Sequence, residues 1–320
     1  MTAFLLRRLG QAAVTIFLVS LIVFLVVYFI PGDPVTVMLG AQASPQQVAA
    51  LRVEFGLDKP LQVRYGLWLW HALHLDFGTS VLLGQGVIGE VAQALPVTLE
   101  LSLLAVAIAL LISVPTGIVA GVRQNTWLDI AARAVSFLGQ SIPGFWLGLM
   151  LIWLLAVRFP IFPTYGFVDP RQSILGNLRS MALPSFTLGV FISAPLTRYL
   201  RASVIQALGE DYVVTARSKG LTARQVIVRH VVRNSLIPFV TQLGLIFAYL
   251  IGGAVVIEQV FSLPGIGQLA LTAFSNRDYP IIQGVVLLVA AGFVLINLLV
   301  DVLYSILDPR IRLGGSSAPA

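Results

Sequence analysis

The sequence predicts an all-α integral membrane protein with six transmembrane helices. Three observations carry that prediction. Apolar residues make up 58% of the 320 residues and charged residues 11%, against about 25% charged in a soluble domain. Mean hydropathy is +0.92. Apolar stretches of about 20 residues, the length that crosses a bilayer core, recur along the chain. The alternating segments of about ten residues that build a membrane β-barrel are absent. There are no cysteines, which excludes disulfides, thiolate catalysis and cysteine metal sites.

The first span is Gly10–Ile30. Arg7 and Arg8 precede it, and Ala41-Gln42-Ala43 resembles a signal-peptide cleavage site. The apolar run is longer than the 7–15 residues of a signal-peptide core, and the A-x-A lies well past its end, so an uncleaved span is expected. Residues 31–96 then form an extracytoplasmic segment. Ser44-Pro45-Gln46-Gln47 offers an N-cap, a proline at the first helical position and a capping-box glutamine; Gly56 fits the stop of that helix. A second amphipathic stretch, Leu61–Leu75, carries Tyr65, Trp68 and Trp70. These rings suit the membrane interface, although a small packed cap over the first helices is the plainer expectation. His71 and His74 stand i and i+3 with no third ligand near in sequence, so a structural role is expected.

The second span is Val97–Val122, with Glu100 at its outer end, and the third is Ala134–Val157. The fourth, Ala182–Leu200, is interrupted by Pro184 and Pro195 and closed by Arg198 and Arg201; proline is tolerated in a span where neighbours satisfy the freed backbone groups. The fifth is Leu236–Ile257 and the sixth Pro280–Leu307. Gly117 with Gly121, and Gly144 with Gly148, form G-x-x-x-G pairs that can seat helices closely. Among 28 glycines such pairs arise readily by chance.

Charge sets the orientation. With the N-terminus inside, Arg7, Arg8, Arg123, Arg133, Arg198, Arg201, Arg217, Lys219, Arg224, Arg229, Arg233, Arg310 and Arg312 are cytoplasmic, which is 13 of the 20 basic residues. The positive-inside rule selects this arrangement, and six spans return the C-terminus to the cytoplasm. The net charge of +6 thus reports topology, and no nucleic-acid partner is expected.

Seven of those basic residues fall between Arg198 and Arg233. The loop holding most of them, Asp211–Pro238, reads as a helical elbow. Asp211 near the start of a first helix and Arg217 and Lys219 near its end suit the helix dipole. Gly220 fits a left-handed stop. Thr222 and Gln225 form a capping box for a second helix, whose Val226, Ile227, His230, Val231 and Asn234 share one face. Pro238 breaks the pattern at the entry to span five. The small residues Ala216, Ser218 and Gly220 at the bend allow a partner to approach closely. On these residues alone, three readings stay open: a partner dock, a lipid-headgroup site and an ordinary positive-inside loop.

The pattern D-Y-x-x-T-A-R-x-K-G-L followed by R-H-x-x-R-N-x-L-I-P resembles the cytoplasmic signature loop of binding-protein-dependent ABC importer permeases. Thr215-Ala216-Arg217 stands where the loop is named for E-A-A, a form usual in the peptide and nickel branch. Further matches are Pro31-Gly32-Asp33-Pro34, Phe55-Gly56-Leu57-Asp58 with Pro60-Leu61, Ser141-Ile142-Pro143-Gly144-Phe145-Trp146, Glu258 through Gly267 (EQVFSLPGIG), Arg277-Asp278-Tyr279-Pro280, and Asn297, Asp301, Tyr304, Asp308, Pro309 and Arg310. The chain resembles the first of the two permease subunits of a dipeptide/oligopeptide/nickel-type importer. That resemblance implies ABC type I importer permease architecture in a bacterial inner membrane. The expected N-terminal helix is 1–30, a five-helix core is expected over 97–310 around the coupling loop 210–238, and the tail 311–320 is expected to be disordered. It implies a second homologous permease subunit, two ABC ATPase subunits, an extracytoplasmic solute-binding protein and the lipid bilayer as partners, and no cofactor. Asp211, Tyr212, Thr215, Ala216, Arg217, Lys219, Gly220, Leu221 and Pro238 match the ATPase-coupling loop. The chain has no G-x-x-x-x-G-K-[ST] loop, so ATP hydrolysis is expected in the partner subunits. The chain itself is then a non-catalytic transport subunit.

Gln140, Ser141, Gln242, Asn297 and Asp301 are polar groups within apolar runs, where such groups tend to face a bundle interior or a cavity. For Asn297 and Asp301, structural pairing and pathway lining both stay open. The outer loop with Phe261, Pro264 and Gly265 reads either as a re-entrant turn or as an outer gate touching a solute-binding protein. A self-sufficient channel or secondary transporter is the alternative class; inverted repeats or several intramembrane charges would mark it, and neither is seen. A membrane enzyme is disfavoured because no Ser/His or His/Asp/Glu set converges in the sequence. The substrate stays open among dipeptides, longer peptides, nickel chelates and glutathione.

Overall fold

The computed structural model describes residues 2–29, 44–46, 58–80 and 82–307. The predicted helix from Ser44 to Gly56, the Pro31–Pro34 motif and the tail from Asp308 fall wholly or largely outside those residues. The described chain is helical, and its only extended pairing is an isolated bridge between Thr79 and Gly86. In order, the helices are α1 (Thr2–Phe29), α2 (Leu61–Leu73), α3 (Val87–Val122), α4 (Trp127–Ser141), α5 (Gly144–Ile152, continued by a π-turn over Trp153–Arg158) and α6 (Ile174–Leu208). After them come α7 (Asp211–Ser218), α8 (Ala223–Val226, continued by a π-turn over Ile227–Val232), α9 (Arg233–Gly253), α10 (Val255–Phe261), α11 (Ile266–Asn276) and α12 (Tyr279–Leu307). Among the described residues, α1, α3, α6 and α12 are each long and apolar enough to cross a bilayer, and three bent pairs reach that length together.

The chain divides into two compact units. The first contains Leu99–Leu263 and the end of α12 from Ile296; the second contains Thr2–Thr98 and Pro264–Leu295.

In the first unit, α6 is the central helix and the most buried of the long helices. In the sequence it is the weakest span, interrupted by Pro184 and Pro195 and closed by Arg198 and Arg201. The helix absorbs these features and runs past the expected Ala182–Leu200 at both ends. Two of its buried hydroxyls bond within the helix: Thr187 Oγ1 donates to Leu183 O at 2.8 Å and Thr197 Oγ1 to Ser193 O at 2.8 Å. Small residues then let α3 approach. A Cβ on Gly189 would lie 2.8 Å from the Ala105 carbonyl oxygen, one on Gly117 2.9 Å from Leu200 Cβ and one on Gly121 2.6 Å from Val204 Cγ1. The 117/121 pair is therefore a real helix seam, with no room for side chains.

The predicted third span, Ala134–Val157, is not one helix. Ile142 sits at φ −86°, ψ 121°, as expected for a residue crowded by a following proline. The chain bends by 90° between Trp127–Ser141 and Gly144–Arg158. Gly148 of α5 packs against the Phe261 ring, whose Cε2 would be 3.1 Å from an added Cβ. Pro238 also acts differently from the sequence expectation: it lies inside α9, and the chain bends by 41° there without ending the helix.

In the second unit, α3 begins at Val87, ten residues before the expected start, and carries Pro96 in its interior. Tertiary burial overrides the proline. Val87, Val91 and Ala94 join Phe77, Ile266, Ala273, Tyr279, Ile281 and Val285 in one apolar core. Asp278, buried at the start of α12, accepts from Ser80 Oγ at 2.5 Å and from the Leu82 amide at 3.1 Å. Ser80 Oγ in turn accepts from the Leu83 amide at 2.9 Å. One carboxylate thus pins the turn before α3 to the last helix.

Candidate functional site

The elbow at Asp211–Pro238 is built from local signals. α7 ends at Ser218, and Gly220 adopts φ +78°. The Gly220 amide donates to Arg217 O at 2.9 Å and the Leu221 amide to Ala216 O at 3.3 Å. These two bonds form a Schellman stop, which needs a left-handed residue at Gly220. Thr222 then starts α8 with a full capping box: Gln225 N donates to Thr222 Oγ1, and Gln225 Oε1 accepts from Thr222 N at 3.0 Å. The stop and start fall at the residues that sequence reasoning named.

The inward and outward faces differ from expectation at two points. Val213 and Ala216 of α7 are buried, whereas Val214, Thr215, Arg217, Ser218, Lys219 and Gly220 are exposed. Tyr212 and Leu221 are half-buried. Ala216 is therefore small to fit its own chain, and only Ser218 and Gly220 of the small cluster face outward. Along the following segment, Val226, Val231 and Ser235 point inward and Asn234 is exposed. The π-turn over Ile227–Val232 widens the helix, so the buried positions recur at i, i+5 and i+9 rather than at 3 and 4 spacing. Ser235 Oγ donates to Val231 O at 2.8 Å and lies 3.2 Å from Ser203 O on α6. Arg224, Arg229 and Arg233 are exposed.

Just before the elbow lies a contact that sequence reasoning missed. Asp129, fully buried near the start of α4, accepts from Arg201 of α6 through a two-pronged pair: Nε to Oδ1 at 2.6 Å and Nη2 to Oδ2 at 2.9 Å. The Asn125 amide also donates to Oδ2 at 2.9 Å, and half-exposed Arg133 stands 3.4 Å from Oδ1. A bidentate arginine pair is among the stronger and more directional side-chain contacts. It ties the α3–α4 turn to α6 ten residues ahead of α7. The signal was an aspartate isolated among basic residues, but no sequence spacing links positions 129 and 201.

The other named residues are dispersed. Half-buried Gln140 and exposed Ser141 end α4, where Ser141 Oγ donates to Phe137 O at 3.0 Å. Gln242, Asn297 and Asp301 are half-buried. Gly244 of α9 leaves no room for a Cβ against Val300 of α12, so these three lie within about a turn of one helix crossing. Phe261 is buried against α5, and its carbonyl accepts from the Gly166 amide at 3.0 Å. Pro264 is exposed, and buried Gly265 precedes α11 as its cap residue. Ser262, in left-handed conformation, closes α10.

Two family models cover most of the chain. Residues 113–313 match the binding-protein-dependent transport system inner membrane component, and residues 1–102 match the N-terminal part of such membrane components. The chain belongs to this family of inner-membrane permease subunits of ABC importers. A Brucella abortus (strain 2308) protein named for a permease role in a peptide transport system is 43% identical over 98% of this chain and 99% of its own length. The dipeptide transport system permease protein DppB of Escherichia coli (strain K12) is 38% identical, again over 98% and 99%. The glutathione transport system permease protein GsiC of Salmonella choleraesuis is 39% identical with the same coverage. Among solved structures, an amino acid ABC transporter aligns with a TM-score of 0.48 at 18% identity, covering 70% of this chain and 94% of that one.

Proposed function

We propose that this chain is the first of two homologous permease subunits in an importer of short peptides, and that α7 with its Gly220 stop is the segment through which two ATPase subunits drive it. The exposed strip formed by Val214, Arg217 and Ser218 of α7, with Lys219 just past its end, carries this reading. An apolar residue flanked by two cations, projecting from an eight-residue helix fixed at its end, suits insertion into a groove of a second protein. Resemblance of the loop to the family's signature adds the identity of that protein. The N- and C-termini lie in the cytoplasm, six spans surround the pathway, and hydrolysis occurs in the partners. The charge asymmetry supports that topology.

The peptide class rests on relatives named for peptide, dipeptide and glutathione transport. The solute-binding protein makes the finer selection. Gln242, Asn297 and Asp301, near the α9–α12 crossing, are the candidate pathway groups. The outer turn at Pro264 and Gly265 is the candidate contact for the binding protein. In the test, the complete assembly is expressed with wild-type chain or with Val214→Asp. Loss of ATPase co-purification and of labelled dipeptide uptake, with membrane insertion intact, is the expected result. Full co-purification with full uptake would overturn the assignment of α7.

A further inference from the structure

We propose that α2, Leu61–Leu73, is embedded in the bilayer beside α1, its outward face covered by lipid acyl chains rather than by water or a protein. The proposal rests on α1 being a span and is independent of any transport assay. Depth comes first. From Arg8 to Phe29, α1 rises about 31 Å at 1.5 Å per residue, which matches a hydrocarbon core of about 30 Å. Ser20 is fully buried and lies about 13 Å inside the Phe29 end by the same rise. Tyr65 Oη of α2 is 2.8 Å from Ser20 Oγ. Its ring packs edge-on against Phe24 at 5.3 Å and Phe17 at 6.3 Å. A single side chain cannot reach that depth from a helix lying in water above the membrane. Arg64, one residue earlier, stacks over the Tyr28 ring at 5.3 Å, at the end of α1 where a charge meets the headgroups.

The faces of α2 agree. Tyr65, Trp68 and Ala72 turn inward. The outward stripe is Val63, Leu67, Trp70 and Leu73, at i, i+4, i+7 and i+10, with exposures of 43–72%. Exposed Gln62, His71 and His74 share that side, so the depth of Tyr65, and not an unbroken apolar face, places the helix in lipid. Between Leu61 and Leu75 the only charged residue is Arg64, which is turned to Tyr28. Beside the stripe, Ile22 and Val26 of α1 are likewise exposed, as lipid-facing residues are.

The chain has no cysteine, so single nitroxide labels can be placed directly. Val63→Cys, Leu67→Cys and Trp70→Cys would be labelled in the complete assembly in liposomes, with Ile22→Cys as lipid reference and Lys59→Cys as aqueous reference. The expected result is collision with oxygen and protection from an aqueous nickel chelate, as at position 22. Nickel access equal to that at position 59 would overturn the proposal. Protection from both reagents would overturn it too, because it would place a protein over the stripe. Should a label disturb folding, brominated lipid provides a second measurement: quenching of total tryptophan fluorescence should fall in Trp70→Phe relative to wild type. An unchanged quench would count against lipid contact.

Discussion

Removing the buried carboxylate at Asp129 should both destabilise the permease and weaken its coupling. Asp129→Ala deletes two charge-assisted bonds to Arg201, one to the Asn125 amide and the nearby Arg133 pair. Breaking a buried pair costs about 3–5 kcal/mol. Arg201 keeps one edge in water at 20% exposure, which favours the lower end, about 3 kcal/mol. The half-exposed Arg133 adds only about 0.3–0.5 kcal/mol. Asp129→Asn keeps the shape but loses the charge, so about half of that cost is expected. The assay is thermal unfolding of the lipid-reconstituted assembly for Asp129→Ala, Arg201→Ala and the double variant, with uptake per ATP measured on each. A coupling energy of about 2 kcal/mol is predicted, since residues in direct contact do not add. Uptake per ATP should fall while ATPase co-purification persists. Additivity within about 0.5 kcal/mol would refute the clamp as an energetic unit, and unchanged uptake per ATP would refute its part in transmission.

Three further outcomes follow from the geometry. Gly189→Ala drives a Cβ to 2.8 Å from the Ala105 carbonyl oxygen; overpacking of this kind costs about 1–3 kcal/mol, visible as a lowered unfolding temperature. Gly220→Ala meets no neighbour but strains φ +78°, costing about 1–2 kcal/mol, and uptake should fall more than overall stability. The Asp76 carboxyl is held below the usual carboxylate range, first by the Gly78 amide and then by His71. Its stabilisation of the turn after α2 is therefore present at neutral pH and lost as pH falls below about 4. Proteolysis of that turn should rise on acidification in wild type and be pH-independent in Asp76→Asn.

What the sequence revealed depended on how local the signal was. The elbow was legible residue by residue, because a Schellman stop and a capping box are each decided within six residues. The helical class followed equally well from composition. Span boundaries fared worse. Pro96 sits inside α3 because Val87, Val91 and Ala94 bury into a core formed partly by α11 and α12, which no window around residue 96 contains. Conversely, Pro143 ended a helix within an apolar run that hydropathy alone reads as continuous. At the candidate site, the π-turn over Ile227–Val232 exchanged Asn234 for Ser235 on the inward face, since a 3.6-residue period cannot foresee a widened turn. The Asp129–Arg201 pair spans 72 positions and has no local signature at all.

The proposed ATPase contact on the outward face of α7 is open to a direct test. A cysteine-free chain permits a direct scan. Single cysteines at Val213, Val214, Ala216 and Ser218, in the co-expressed assembly, would be treated with a short thiol crosslinker against a cysteine lining the ATPase groove. Adducts at Val214 and Ser218, with none at the buried Val213 and Ala216, are predicted. Equal adducts at all four positions, or none at Val214 and Ser218 in an assembly that still transports, would contradict docking of the ATPase on this face.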